Sequence, residues 1–343
     1  HYSKMTDKMN KILIVGLGSM GKRRIRNLQK LGYRQLIGFD LRDDRIIETK
    51  KKYKIKCFNN FQNALTEKPN MMLICTPPNL HKEYAKKAIQ KNIHVFLELN
   101  LVHDHVKSIL KFSEKSSSVI CCSNTMRFHP IVKKLKMLIK QKKIGKVYSI
   151  HHHVGHFLPN WHPWESHKEF FVSQKETGGA KELVPVDLNW LTYIFSDVTS
   201  VLANVNKISK LDVNIDDNYQ AILEFQNKIF CSLNVDVFSI PSIKQTKIIG
   251  EKGTIICNFD KSKIKINVGN GWKSILLPKG KIASGYKGIT PSESLYEEEI
   301  LNFFKKVRNQ NSCSFSLNNE LKILKILNAI EKSGKYGKKV SLK

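Results

Sequence analysis

No apolar run approaches the ~18 residues that a membrane-crossing helix needs, so nothing in the chain reads as a membrane span. Paired cysteines are missing as well. The seven cysteines (Cys57, Cys75, Cys121, Cys122, Cys231, Cys257 and Cys313) are odd in number, and none stands in a CxxC pair. That pattern offers no zinc ribbon and no dithiol motif. It reads as small buried hydrophobes in a reducing cytoplasm, where the protein is expected to reside. Acidic residues are scarce: 29 Asp+Glu face 58 Lys+Arg, a formal charge of +29. Such a charge suits nucleic acid. Here, though, the excess is mostly lysine spread over solvated helix faces, with no basic block interleaved with aromatics for stacking bases. No nucleic-acid partner is expected, and a small anionic substrate remains compatible. There is no internal repeat and no long low-complexity linker. The start, HYSKMTDKMNK, has no signal-peptide core, and residues 1–10 are expected to be a tag remnant or disordered segment outside the fold.

A chain of 343 residues is too long for one typical core and suits two domains. The segment KILIVGLGSMGKRRIRNLQKLG opens with an apolar strand, Ile12 to Val15. Gly16, Gly18 and Gly21 follow as G-x-G-x-x-G, with Ser19 and Met20 between them. A helix then carries Ile25, Leu28 and Leu31 on one stripe. The first glycine permits a tight turn, the second a close backbone approach to a pyrophosphate, and the third close helix–strand packing. The helix amino end presents N–H groups to the phosphates. QLIGFD ends a second strand on Asp40, placed to bond the ribose hydroxyls of NAD. Arg42 close behind it could hold a 2′-phosphate, so NADP stays open. Strands are expected near 54–58, 71–75, 94–98 and 119–122, and helices near 61–67, 81–91 and 104–115. This alternation means a doubly wound parallel sheet, with ligands gathered at strand carboxyl ends. Thr76 and Pro77 in CTPPNLH stand at such an end, with Asn79 and His81 opening the next helix. Alternatively the Pro-Pro pair is only a helix-start turn. Glu98 closes the 94–98 strand.

Past Arg127 the pattern changes. HPIVKKLKMLIKQKKIG is an amphipathic helix, and a run of alternating strands without helices then implies a mixed or antiparallel sheet, followed by two helices. No helix is placed in sequence to cover the sheet's outer face. A homodimer or homotetramer through that face is therefore expected. The loop HHHVGHFLPNWHPWESH holds six histidines and two tryptophans. His151 and His153 share a strand face, yet no carboxylate or thiolate completes a zinc set, and no metal is expected. Trp161, His162 and Trp164 instead offer flat faces and N–H donors suited to a sugar ring. A packed surface loop is the alternative.

GLGSMGKRR, ICTPPNLH, KIGKVYS, TGGAKELVPVDLNWLTYIFSD and IIGEKGTI, in this order, resemble the glucose–fructose oxidoreductase / inositol dehydrogenase (Gfo/Idh/MocA) family over about residues 11 to 342. MRFHP and PNWHPWES are similar to a narrower branch associated with sialic- or legionaminic-type sugars. The resemblance implies a Rossmann domain over 11–127 and a substrate-binding and oligomerising α+β domain with an open sheet over 128–343. It also implies hydride exchange between NAD(P) and a sugar or cyclitol carbon, with Arg127, His129 and Asn189 at the substrate. The family's strand-end Glu-Lys-Pro corresponds to Glu98, Leu99 and Asn100. Its helix acid and histidine, four residues apart on one face, correspond to Glu182 and Val186. The usual catalytic lysine and histidine are thus aliphatic here.

Oxidising an alcohol needs a base for the hydroxyl proton, and such help is worth roughly 10²–10⁴ in rate. Neither Leu99 nor Val186 supplies it. One reading is an NAD(P)-dependent sugar oxidoreductase with relocated chemistry. Lys181 and Glu182 are its first candidates, and His103, His105, His129 and His162 are further ones. A second is a catalytically inactive NAD(H)-binding homologue acting as sensor or partner subunit. A third is an NAD-assisted elimination or epimerisation.

Overall fold

The computed structural model describes residues 10–161, 166–168, 171–283, 291–309 and 315–342. The chain forms two compact units. One runs to Ser123 and resumes over Tyr296–Lys322; the other comprises Asn124–Leu295 and the chain from Ile323 onward. The first crossing lies four residues before the expected boundary after 127. The return of Tyr296–Lys322 to the first unit has no counterpart in the sequence reading.

The first unit holds six strands: β1 (Ile12–Val15), β2 (Leu36–Phe39), β3 (Lys56–Phe58), β4 (Met71–Ile74), β5 (His94–Leu97) and β6 (Ile120–Cys122). They order as β3-β2-β1-β4-β5-β6, all parallel. β1 and β4 are buried along their whole length, as a sheet covered on both faces requires. The covering helices include α1 (Ser19–Lys30), α2 (Asp43–Tyr53), α3 (Phe61–Thr66), α4 (His81–Gln90) and α5 (His103–Ser113). The strand order reverses between β1 and β4, where a doubly wound sheet opens a crevice for ligand. The core joins Ile12, Ile14, Leu73 and Phe96 to Ile300, Phe303 and Phe304, which explains why the late segment belongs to this unit. Burying three such side chains is worth several kcal/mol in all, at about 1.5–3 kcal/mol each.

The second unit opens with α6 (Pro130–Lys140) and β7 (Val147–Phe157), and α7 (Ala180–Phe195) follows. Seven more strands complete most of its sheet: β8 (Val198–Asn206), β9 (Asn218–Phe225), β10 (Phe230–Asp236), β11 (Phe238–Gly250), β12 (Gly253–Asn258), β13 (Lys263–Asn267) and β14 (Trp272–Leu276). After α8 (Glu293–Asn309) and α9 (Leu317–Tyr336), β15 (Val340–Ser341) adds the edge next to β8. The order is β14-β13-β12-β11-β7-β10-β9-β8-β15, antiparallel except for β7 with β10. The mixed sheet is the one expected. One face is lined by buried residues such as Val154, Leu233 and Val235, in the same unit as the buried Val184, Leu188 and Leu191 of α7. The other carries exposed apolar groups, with Leu202 opposite Ile222 and Phe230 opposite Glu224. No helix among the described residues is long and apolar enough to cross a membrane. Cys57, Cys75, Cys122, Cys231 and Cys257 are free thiols. Cys121 is disulfide-bonded, which departs from the reading of every cysteine as reduced.

Candidate functional site

The turn after β1 leaves no room for side chains. Gly16 has φ +91°, and a Cβ there would come within 2.9 Å of the backbone of Cys75 and Thr76. A Cβ on Gly21 would fall 1.9 Å from the Gly16 carbonyl oxygen. Gly18 caps α1, whose first turn, with Ser19 and Met20, contains no acidic residue to repel a phosphate. Asp40, just past β2, turns its carboxylate back to this loop. Oδ2 accepts the Leu17 N–H at 2.7 Å and Oδ1 accepts the Arg42 N–H at 2.9 Å. Lone pairs remain on both oxygens for a ribose diol. The Arg42 side chain is paired outward with Asp44, at 2.6 Å. Arg45, which sequence reasoning missed, has Nη1 3.6 Å from Asp40 Oδ2 and would lie 3.5 Å from a Cβ on Gly18. Its only signal in the sequence was a second basic residue behind the strand-end acid, after Arg42. This cradle fits a dinucleotide, and NAD supplies a hydride carrier when bound.

The neighbouring strand ends are braced from within. His81 is fully buried, and both ring nitrogens are engaged. Nε2 donates to the Thr76 carbonyl at 2.9 Å, and Nδ1 lies 2.8 Å from the Asn100 side-chain amide. Burial holds His81 below its ordinary pKa, so the ring is neutral and Nδ1 is an acceptor. His81, expected at the cofactor, thus ties the β4 turn to the β5 end with both ring nitrogens. Thr76 Oγ1 is enclosed without a partner among the described residues, and Asn79 is exposed beyond Pro77 in a short turn. Glu98, also expected at the cofactor, is buried, with Oε1 2.5 Å from Arg24 Nε. Arg24 reaches Glu299 with Nη2 at 2.6 Å and lies over the Phe96 ring. This carboxylate holds the core arginine. Leu99 stands half-buried between these two braced residues.

In the second unit, Arg127 and Asn189 come together. Arg127 Nε donates to Asn189 Oδ1 at 2.6 Å, and the guanidinium lies over Tyr193 at 4.4 Å. His129 caps α6, its Nδ1 accepting the Ile131 N–H at 3.1 Å. Burial and then Lys244 push His129 down to about 4. Trp161 stands edge-on to His156, and its Nε1 is enclosed without a partner among the described residues. His162 and Trp164 lie outside the described residues. Helix α7 runs unbroken through Pro185, which removes the bond to the Lys181 carbonyl without ending the helix. Lys181 Nζ is 2.8 Å from Glu331 Oε1, an acceptor that also serves Tyr219. Glu182 Oε2 is enclosed and unpartnered among the described residues, and burial pushes its carboxyl up to about 8. Val186 is half-buried. Lys181 is thus committed to an ion pair, and Glu182 is a neutral acid near pH 7.

One cluster had no signal in the sequence. Asp187, fully buried on α7, accepts Trp190 Nε1 at 2.6 Å and Lys244 Nζ at 2.7 Å on Oδ1. His152 Nε2 stands 3.3 Å from the same oxygen, and its Nδ1 lies 2.8 Å from Thr246 Oγ1. Burial opposes ionisation of Asp187, but Lys244 and His152 outweigh it and hold the carboxyl well below the usual range. Strand alternation places His152 and His153 on opposite faces, and His153 pairs with Asp236 at 2.8 Å. Among the described residues no group of three or more His, Cys, Asp or Glu is placed to hold a metal.

Residues 10–121 match the oxidoreductase family with an NAD-binding Rossmann fold designated GFO_IDH_MocA, and residues 132–256 match the C-terminal domain of the same family. Glucose-6-phosphate 3-dehydrogenase of Bacillus subtilis (strain 168) is 26% identical over 243 residues, covering 68% of this chain and 69% of that protein. An oxidoreductase from Agrobacterium radiobacter, solved with NAD+, L-tartaric acid and magnesium, superposes with TM-score 0.83 at 14% identity, over 97% of this chain and 98% of the other. The WlbA dehydrogenase from Bordetella pertussis, solved with NADH and UDP-GlcNAcA, gives TM-score 0.77 at 18% identity, over 97% and 99%.

Proposed function

The chain belongs to the Gfo/Idh/MocA family of NAD-binding oxidoreductases, and from that premise we propose that it exchanges hydride between NAD and a sugar or sugar-derived carbon without a proton carrier at the two usual places. The reading is supported by an intact cofactor cradle in the first unit, together with aliphatic residues at both positions where the family resemblance would put a proton carrier. Gly16, Gly21 and Asp40 keep the geometry a dinucleotide needs, while Leu99 and Val186 can neither give nor take a proton. The dehydrogenase from Bacillus subtilis supports a sugar substrate. Asp40 favours NAD, and Arg45 beside it, rather than Arg42, is the group that would meet a 2′-phosphate. Lys181 is held by Glu331, so Glu182, protonated near neutrality, is the better acid of the two candidates.

The same two facts favour one competing reading, an NAD(H)-binding homologue without turnover. The experiment is a turnover assay on glucose 6-phosphate and on neutral polyols, followed at the nicotinamide absorbance, in wild type, Glu182→Gln and Leu99→Lys with Val186→His. The proposal expects slow but measurable wild-type oxidation of an acidic sugar above about pH 8, where Glu182 is ionised and can take the hydroxyl proton, and Glu182→Gln should lower it by about 10²-fold or more. A wild type that binds NADH yet turns over nothing, while the double substitution gains activity, decides for the inactive homologue.

The exposed apolar face of the second sheet supports a homodimer or homotetramer, with Leu202, Ile222 and Phe230 at the contact. We further propose residues 11–127 as the cofactor-binding part and the remainder, less the returning Tyr296–Lys322, as the substrate-binding part.

A further inference from the structure

The buried cluster around Lys244 has more hydrogen-bond donors than the protein satisfies. Lys244 is 6% exposed. Its ammonium carries three N–H bonds. Asp187 takes one, Phe259 offers only its ring face at 5.4 Å, and no other acceptor reaches Nζ among the described residues. The ion pair explains how Lys244 can be buried; it does not explain two unused N–H bonds, since buried donors are nearly always matched.

Further donors lie around it. Trp161 Nε1 is enclosed and unpartnered among the described residues, and its ring stands edge-on to His156 with centroids 6.0 Å apart. His129 packs on Phe259 with ring centroids 5.2 Å apart, the same ring that Lys244 overlies, and His156 stands two residues along β7 from Val154, the strand partner of Lys244. Because His129 Nδ1 already accepts the Ile131 N–H, its neutral ring carries the proton on Nε2, another donor. On the acceptor side the cluster leaves only Asp187 Oδ2 unpartnered among the described residues. Trp161 also offers a ring face of the kind that packs on a sugar.

We infer that Lys244, Trp161, His129 and His156 form an oxyanion-recognition site in the second unit, which takes the carboxylate or phosphate of an acidic sugar. A carboxylate or phosphate brings several acceptor lone pairs and no donor, the complement of what stands unused here. Its bond to a buried ammonium is charge-assisted, while a hydroxyl is uncharged, offers fewer lone pairs and brings a donor of its own. The inference rests on the proposed function, because it reads the second unit as the substrate-binding part.

Calorimetric titration of the full chain with NADH present tests it, using glucuronate, glucose 6-phosphate and glucose as probes. At least one acidic sugar is expected to bind about tenfold or more tighter than glucose, the scale of one charge-assisted hydrogen bond. Glucuronate alone identifies a carboxylate site, and glucose 6-phosphate alone a phosphate site. Lys244→Met should erase the preference, and Trp161→Phe should cut it several-fold, both with unchanged NADH affinity. If Lys244→Met does not fold, Trp161→Phe decides. Equal binding of glucose, no binding of either acidic sugar, or an undiminished preference in the folded variants overturns the inference. Those results leave NADH binding standing; wild type that fails to bind NADH overturns the proposed function instead.

Discussion

At the scale of single residues, Glu182 links the fold to pH. Its folded carboxyl titrates at about 8, above the ordinary 4.5, so the folded protein keeps a proton that the unfolded chain releases. The cost to stability therefore starts as pH rises past the unfolded value and is complete above about 8. Glu182→Gln should melt increasingly above wild type as pH is raised from about 5 to about 8, with a constant difference beyond. A difference that ignores pH contradicts the burial argument. Gly21 gives a second residue-scale prediction. Its Cβ would sit 1.9 Å from the Gly16 oxygen, so Gly21→Ala should weaken NADH binding at least tenfold by opening the turn. Unchanged NADH affinity in a folded Gly21→Ala protein would count against this site. The strand, glycine turn, helix and second strand were legible in the sequence because they depend on local spacing. The inward turn of His81 and the capture of Glu98 by Arg24 were not, because each depends on a partner supplied by the fold.

At the scale of elements, the Lys244–Asp187 pair joins β11 to α7. Removing one partner leaves a buried charge unmatched, which costs about 3–5 kcal/mol. Asp187→Asn should therefore lower the melting temperature by several degrees, while Asp187→Leu with Lys244→Met should recover part of the loss. Chemical denaturation of the single and double variants measures this coupling; additive losses would mean the pair is not one unit. The pair could not be read from the sequence, since Lys244 looks like any of the many lysines and Asp187 like a helix residue. Strand positions were legible almost throughout. Alternation of buried and exposed residues in β9 or continuous burial in β1 follows from simple periodicity. The return of Ile300, Phe303 and Phe304 to the first core was hidden, because an amphipathic helix does not state which sheet it covers.

At the scale of the whole molecule, the open face of the nine-stranded sheet is the surface to test for self-association. Ile222→Arg with Phe230→Glu should shift a dimer or tetramer toward monomer in sedimentation, with NADH affinity unchanged; a wild type monomeric at micromolar concentration refutes the assembly. The fold class and the cofactor were legible from the order of strand, glycines, helix and acid. The chemistry was not, since Leu99 and Val186 carry no proton and local spacing does not say which group would. The account stands on the cofactor cradle, and its most direct test is a fluorescence titration of wild type and Asp40→Ala with NADH and with NADPH. Wild type should bind NADH tighter than NADPH, and Asp40→Ala should lose about tenfold or more of its NADH affinity while NADPH changes little. Equal or tighter NADPH binding by wild type, or an Asp40→Ala protein that binds NADH as before, would contradict it.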